Sequence, residues 1–237
     1  MYNVILMWLT RILKASILFL IISIFVTGTQ PATKTVQIAQ LPLAIHSMSL
    51  NDRYGNSFVN NVFKDNILLT LAYMSGNIQN KSQINWTAVE KPVRYDYVLR
   101  PGEVFAFHDD ILASYKNKPL LTTKAHFSSD EGFLSDGYLV GDGVCHLASL
   151  INWTAIDAGL STNAPTSHNF AVIPDIPAKY GVAIYSSPTQ NLYIENTFNV
   201  PVVFKFNYEN GVLNLAITKQ LPEKFVIQNH TARKTAT

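Results

Sequence analysis

From Val144 to Ala158, the apolar residues Leu147, Leu150, Ile151 and Ala158, with Thr154, fall at the i, i+3/i+4, i+7 spacing of one helical face. Trp153, Ala155 and Ile156 cover much of the remaining surface, so the pattern predicts a helix buried on most sides. Gly159 stands where a C′ glycine would end it. A second helical pattern runs over Ser57–Ser75, with Val59, Val62, Phe63, Ile67, Leu71 and Met74 on one face and Gly76 as the stop. Elsewhere the period is two. Tyr95, Tyr97 and Leu99 alternate, Arg100-Pro-Gly-Glu103 has the form of a type II turn, and Val104–Phe107 resumes, which predicts strand–turn–strand. Phe170–Ile173 and Val182–Tyr185 read as short strands. Asn191–Phe198, Val202–Tyr208 and Val212–Thr218 read as a three-strand meander, whose second turn carries Asn210-Gly211. Asp109–Asp136 has little pattern and is expected to be a mobile or substrate-facing loop. The expected class is α+β: a central buried helix packed on one mostly antiparallel sheet.

The first residues change the picture of where this domain works. Arg11 and Lys14 precede the apolar run Ala15–Val26, followed by the small residues Thr27 and Gly28. That is the layout of a signal peptide cleaved after Gly28, or of a single membrane anchor with its N-terminus inside. The expected organisation is 1–28 signal or anchor, 29–50 tether, 51–218 globular domain and 219–237 polar tail. Either version leaves the main domain extracytoplasmic, membrane-anchored or secreted, with the membrane as a partner through the N-terminal segment. A net charge of +2 with 14% charged residues and no basic stripe argues against a nucleic-acid partner.

The single cysteine, Cys145, makes an intrachain disulfide impossible, and a lone thiol in an exported chain is a candidate nucleophile. It follows the glycine-bracketed loop Gly141-Asp142-Gly143 and falls at the helix N-terminus, where free N–H groups and the dipole favour a thiolate. The helix rises roughly 22 Å from Cys145 to Gly159. An extended return over Ser161–His168 covers about 26 Å, which would bring His168 back to Cys145. A thiol–imidazole pair is one reading; a buried structural cysteine beside a loop histidine is the other. The first reading expects a thiol pKa under about 7.5, with Asp142 and burial opposing it. His146 points about 100° away from Cys145 and is expected beside the site, together with Tyr138. His108-Asp109-Asp110 lacks ligand spacing, so no metal site and no cofactor are indicated.

Several blocks together resemble a known family. They are Leu99-Arg-Pro-Gly-Glu-Val-Phe-Ala-Phe107, Asp136-Gly-Tyr138, Gly141-Asp-Gly-Val-Cys145, Ala158-Gly-Leu160, His168 and Leu192-Tyr-Ile-Glu-Asn196, with Asn66-Ile67 upstream. This combination, from Ser57 to Thr218, resembles the VanW-like domain of bacterial envelope proteins. Where the family has Gln after the cysteine this chain has His146; Thr166 replaces the first histidine of the Arg-His-x-His segment, and Ala178-Lys-Tyr180 replaces Gly-Arg-Asp. Asp175 lies a few residues earlier and is the candidate to orient His168 in place of the missing aspartate.

The resemblance implies an envelope role and leaves two functions in view. One is a thiol hydrolase or acyl-transferase acting on peptide or peptidoglycan-related bonds, with Cys145 as nucleophile, His168 as base and Asp175 as orienting group. Gly141, Gly143, His146 and Tyr138 would contact the substrate. The other is a non-catalytic module that uses the same cleft to bind a cell-wall peptide or glycan, or a lipid-linked ligand.

Overall fold

The structure, a computed structural model, describes residues 41–51 and 53–220. In chain order its elements are β1 (Ala44–Ser49), α1 (Ser57–Ser75), α2 (Trp86–Val89), β2 (Val93–Leu99), β3 (Val104–Ala106), β4 (Leu120–Thr122), α3 (Val144–Asp157), β5 (Ser161–Asn163), β6 (Tyr193–Glu195), β7 (Val202–Glu209) and β8 (Val212–Lys219). The class is α+β, as the periodicities predict.

Local chemistry sets the helix ends. Asn56 accepts from the N–H groups of Phe58 and Val59 to open α1, and Gly76, at φ 77°, closes it. At the end of α3, Gly159 donates to Ile156 O and Leu160 to Ala155 O, the paired bonds of a Schellman cap with Gly159 in the left-handed region. The predicted apolar face of α3 is the buried one: Leu147, Leu150, Ile151, Thr154 and Ala155 are shielded from solvent, and of the helix's apolar residues only Ile156 is exposed.

The strands divide between two sheets rather than forming one. The first has the order β1-β8-β7-β2 and is antiparallel throughout; the second has the order β4-β3-β6-β5. In the second sheet β3 and β4 are parallel, while β3–β6 and β5–β6 are antiparallel. Along β7 and β8 the inward residues Phe204, Phe206, Leu213, Leu215 and Ile217 alternate with more exposed ones, and α3 packs across β8 and β1.

The observed strands correct the expectations of a single sheet, of a meander and of a strand over Phe170–Ile173. The Arg100–Glu103 turn forms as predicted, with Glu103 N–H bonded to Arg100 O and Gly102 at φ 75°. The strand–turn–strand forms as well, with its two strands, β2 and β3, lying in different sheets. The expected meander is broken. Asn196 donates to Leu99 O and Val200 O and accepts from Phe198 N–H, a side-chain-built corner that separates β6 in one sheet from β7 in the other. Phe170–Ile173 is no strand: it runs irregularly at the surface, with Phe170 and Val172 exposed, and Val182 makes only an isolated bridge to Ser167.

Residues 44–49, expected in the tether, form β1 and complete the first sheet against β8. Their inward positions are Ala44, His46 and Met48, with Ile45 facing out at 59% exposure, so the apolar alternation of a strand is hidden. Asp109–Asp136 contains β4 and short 3₁₀ turns at Ala113–Tyr115 and Ser129–Glu131 rather than one long loop. The expected signal or anchor segment and most of the polar tail lie outside the described residues. Among the described residues no helix is long and apolar enough to cross a membrane.

Candidate functional site

Asn66 organises the approach to α3. Buried on α1, it donates to Leu134 O and Asp142 O and accepts from Leu134 N–H, clipping both ends of the 134–142 loop together. The loop turns through Gly141 (φ 90°) and Gly143 (φ 98°), the latter serving as N-cap of α3. A Cβ on Gly143 would lie 2.6 Å from Phe63 O, so only glycine lets α1 and the start of α3 approach this closely. Asp142 accepts from Asp136 N–H, and burial beside Asp136 pushes its carboxyl up to about 6.

One stripe of α3 holds a segment of chain against the helix. Cys145 Sγ accepts from Ile184 N–H at 3.4 Å and lies 3.8 Å from Ile184 O. One turn on, Ser149 accepts from Val182 N–H at 2.9 Å while donating to Cys145 O, and Asn152 donates to Tyr180 O. The docked segment carries His168 in turn, because His168 N–H bonds Gly181 O and Ala183 N–H bonds Thr166 O. The return from α3 toward its own N-terminus thus takes place, and it is the 180–184 strip that lies against the helix.

Cys145 is half-buried, and burial pushes its thiol above the ordinary value; Ile184 N–H works against that rise and Asp142 adds to it. This direction is opposite to the expectation drawn from the helix N-terminus, and desolvation of the thiolate is its largest cause. No hydrogen bond joins Cys145 to His168 among the described residues.

The buried polar centre is instead a pair of imidazoles. His146 and His168 meet edge-to-face with ring centroids 6.2 Å apart. Arg53, a residue the sequence reading passed over, donates through Nη2 to His146 Nδ1 at 3.1 Å and to Pro174 O at 3.0 Å, and through Nη1 to Ser49 O. Since guanidinium can only donate, His146 Nδ1 is the lone-pair nitrogen and its proton sits on Nε2. Burial first, then Arg53 and His168, hold the His146 pKa well below its ordinary value, so the ring is neutral. His168 has the opposite tautomer: Nδ1–H donates to Ala171 O at 3.1 Å, leaving Nε2 with its lone pair. Burial lowers its pKa too.

Asp175, the expected partner of His168, is turned elsewhere. It accepts from Ser49 N–H at 3.0 Å and faces Arg53 Nη1 at 3.5 Å, so it supports the arginine that contacts His146. His168 is oriented by a backbone carbonyl instead. Asp175 sits at φ 69°, a conformation aspartate tolerates better than most residues.

Tyr138 is 91% exposed on the loop before α3, and its ring makes no hydrogen bond or ring stack among the described residues. His108 belongs to a separate structural knot: Asp110 N–H donates to its Nδ1, and Asn191 and Gln190 O complete its contacts. Among the described residues no group of three or more His, Cys, Asp or Glu could hold a metal ion. Arg53 was not legible in the sequence, since nothing in Asn51-Asp-Arg-Tyr-Gly55 announces a buried arginine.

The family model described as VanW like protein matches residues 86–218, which takes in the Pro-Gly-Glu turn, the Gly-x-Gly-x-Cys loop, α3, His168 and both closing strands, and leaves α1 with Asn66 and Arg53 upstream. No curated protein and no solved structure matches the chain. All the motif blocks of the resemblance except Asn66-Ile67 fall within this one match, it covers more than half of the sequence, and the protein belongs to the VanW-like family.

Proposed function

We propose that the domain acts outside the cytoplasm as a binding module of the cell envelope. It would take an apolar or amphipathic part of a wall peptide or lipid-linked ligand at the N-terminal end of α3. The observation that carries this reading is where the exposed apolar side chains lie. Tyr138, Leu139 and Val140 stand on the loop entering α3, Tyr185 follows the residue bonded to Cys145, and Phe170 packs on His168 with ring centroids 3.9 Å apart, next to Val172. Exposed apolar side chains on the segments that lead into and dock on the start of α3 have the chemistry of an interaction site. The run Ala15–Val26 behind Arg11 and Lys14 supports an envelope location.

The test is co-sedimentation of the full chain with isolated peptidoglycan and, separately, with phospholipid vesicles. Tyr138→Ser with Phe170→Ser should cut binding to one of them at least tenfold without lowering Tm, since both side chains are exposed. Unchanged binding in that double variant, or no binding to either material, defeats the proposal.

A thiol-dependent acyl-transfer reading keeps one observation in its favour: His168 is in the Nδ1–H tautomer a general base needs, with its Nε2 lone pair unused among the described residues. It requires that Cys145→Ala abolish turnover of a peptide or ester substrate. Full binding with no turnover in the wild type removes it.

A further inference from the structure

On α1's other flank, the segment 81–86 and the turn 129–134 enclose a groove of about 290 Å³ that the α3 site does not use. Its walls are Ile84, Trp86, Phe133 and Leu134, with Lys81 and Ser129 at one side. Lys81 Nζ donates to Ser129 O at 3.0 Å, and among the described residues no carboxylate comes within ion-pairing distance of it. Of the two acidic side chains of the turn, Glu131 is committed to His126 and to the Ser128 capping box, and Asp130 makes no ion pair with Lys81 among the described residues. Gly132 contributes no side chain: a Cβ there would fall 2.2 Å from Ile84 Cδ1. That bare position lets Ile84 seat against the turn and shapes the groove.

We infer that this groove is a second ligand site, for a small amphipathic anion whose apolar part lies on Trp86 and Phe133 and whose carboxylate meets Lys81. The chemistry is that of a pocket with an apolar lining and one polar group fixing orientation. One of the three ammonium donors is used by Ser129 O, which fixes the charge in place and leaves two for a ligand. A neutral apolar ligand would cover the ammonium without pairing it, and a cation would face like charge, so the site selects for anions.

The probe is N-acetyl-leucine, with N-acetyl-leucinamide as its neutral counterpart, titrated into full-length protein labelled with ¹⁵N-tryptophan. The chain has three tryptophans, and Trp86→Phe identifies the relevant indole resonance. The acid should shift that resonance saturably and the amide should bind about tenfold more weakly or worse. Lys81→Gln should erase the preference and Lys81→Arg should keep it. The same titration on Tyr138→Ser/Phe170→Ser should be unchanged, which separates this site from the α3 rim. No saturable shift, equal shifts with acid and amide, or a preference that survives Lys81→Gln overturns the inference.

Discussion

Arg53 donates to Nδ1 of His146 across 3.1 Å in a region closed to solvent; this bond fixes the tautomer of the imidazole, and burial, with Arg53 adding to it, keeps the ring neutral. An unfolded histidine takes up a proton near its ordinary value of ~6.5, whereas the buried ring does so only at lower pH. In that interval the unfolded chain binds more protons, so this group's stability contribution is present above ~6.5 and is lost as pH falls below it. His168 acts in the same direction; His126, raised by Glu131, and Asp142 act in the other. Comparing Tm between pH 7.5 and 5.5 in the wild type and in His146→Gln isolates the term. The wild type should lose more on acidification than the variant, and parallel curves would show His146 to be uncoupled from folding.

Arg53→Ala should destabilise by at least ~2 kcal/mol, because Ser49 O, Pro174 O and His146 Nδ1 all lose a donor. Urea unfolding reads this directly.

Asn66→Ala should cost about 3 kcal/mol by the same logic, since Leu134 N–H, Leu134 O and Asp142 O are left without their partner. Hydrogen exchange should also rise across residues 134–142 while the β7–β8 hairpin keeps its protection. Loss of protection everywhere would mean the clip supports the whole domain rather than the loop.

Gly143→Ala meets two obstacles, a backbone at φ 98° and Phe63 O at 2.6 Å from the new Cβ. The expected loss is ~2 kcal/mol or more. Gly55→Ala, whose Cβ meets nothing within 4 Å, serves as the control and should stay within ~0.5 kcal/mol.

Alkylation of Cys145 by iodoacetamide should titrate above the ordinary thiol value of ~8.5, since desolvation dominates its environment. An apparent pKa under about 7.5 would restore the activated-thiol reading.

Elements whose pattern reflects one buried face were legible in the chain. Both long helices, their glycine stops, the Pro101-Gly102 turn and the β7–β8 hairpin follow from spacing alone. What failed was the assignment of strands to sheets, because Leu192, Tyr193 and Ile194 are all buried and give no alternation to show which sheet they join. β1 was missed because its inward His46 is sheltered by a stack on Trp153 at 3.6 Å and a bond to Asp157, not by apolar character of its own. At the site, the positions of Cys145, His146 and His168 near one helix end could be anticipated; that Arg53 would meet His146 with Asp175 behind it could not, since the contacts span long stretches of chain.

The pairing of Ala44 with Ile217 has a consequence for how the molecule comes into being. β8 lies between β1 and β7, so the first strand described finds its partner only when nearly the last one arrives. Such distant pairings make for slow assembly, and a chain emerging from its N-terminus cannot close this sheet early. Until residues 212–219 appear, α3 has no finished surface to lie on. A chain built this way stays threadable until β8 has been made, and stopping it short of β8 should leave not a smaller domain but an open one.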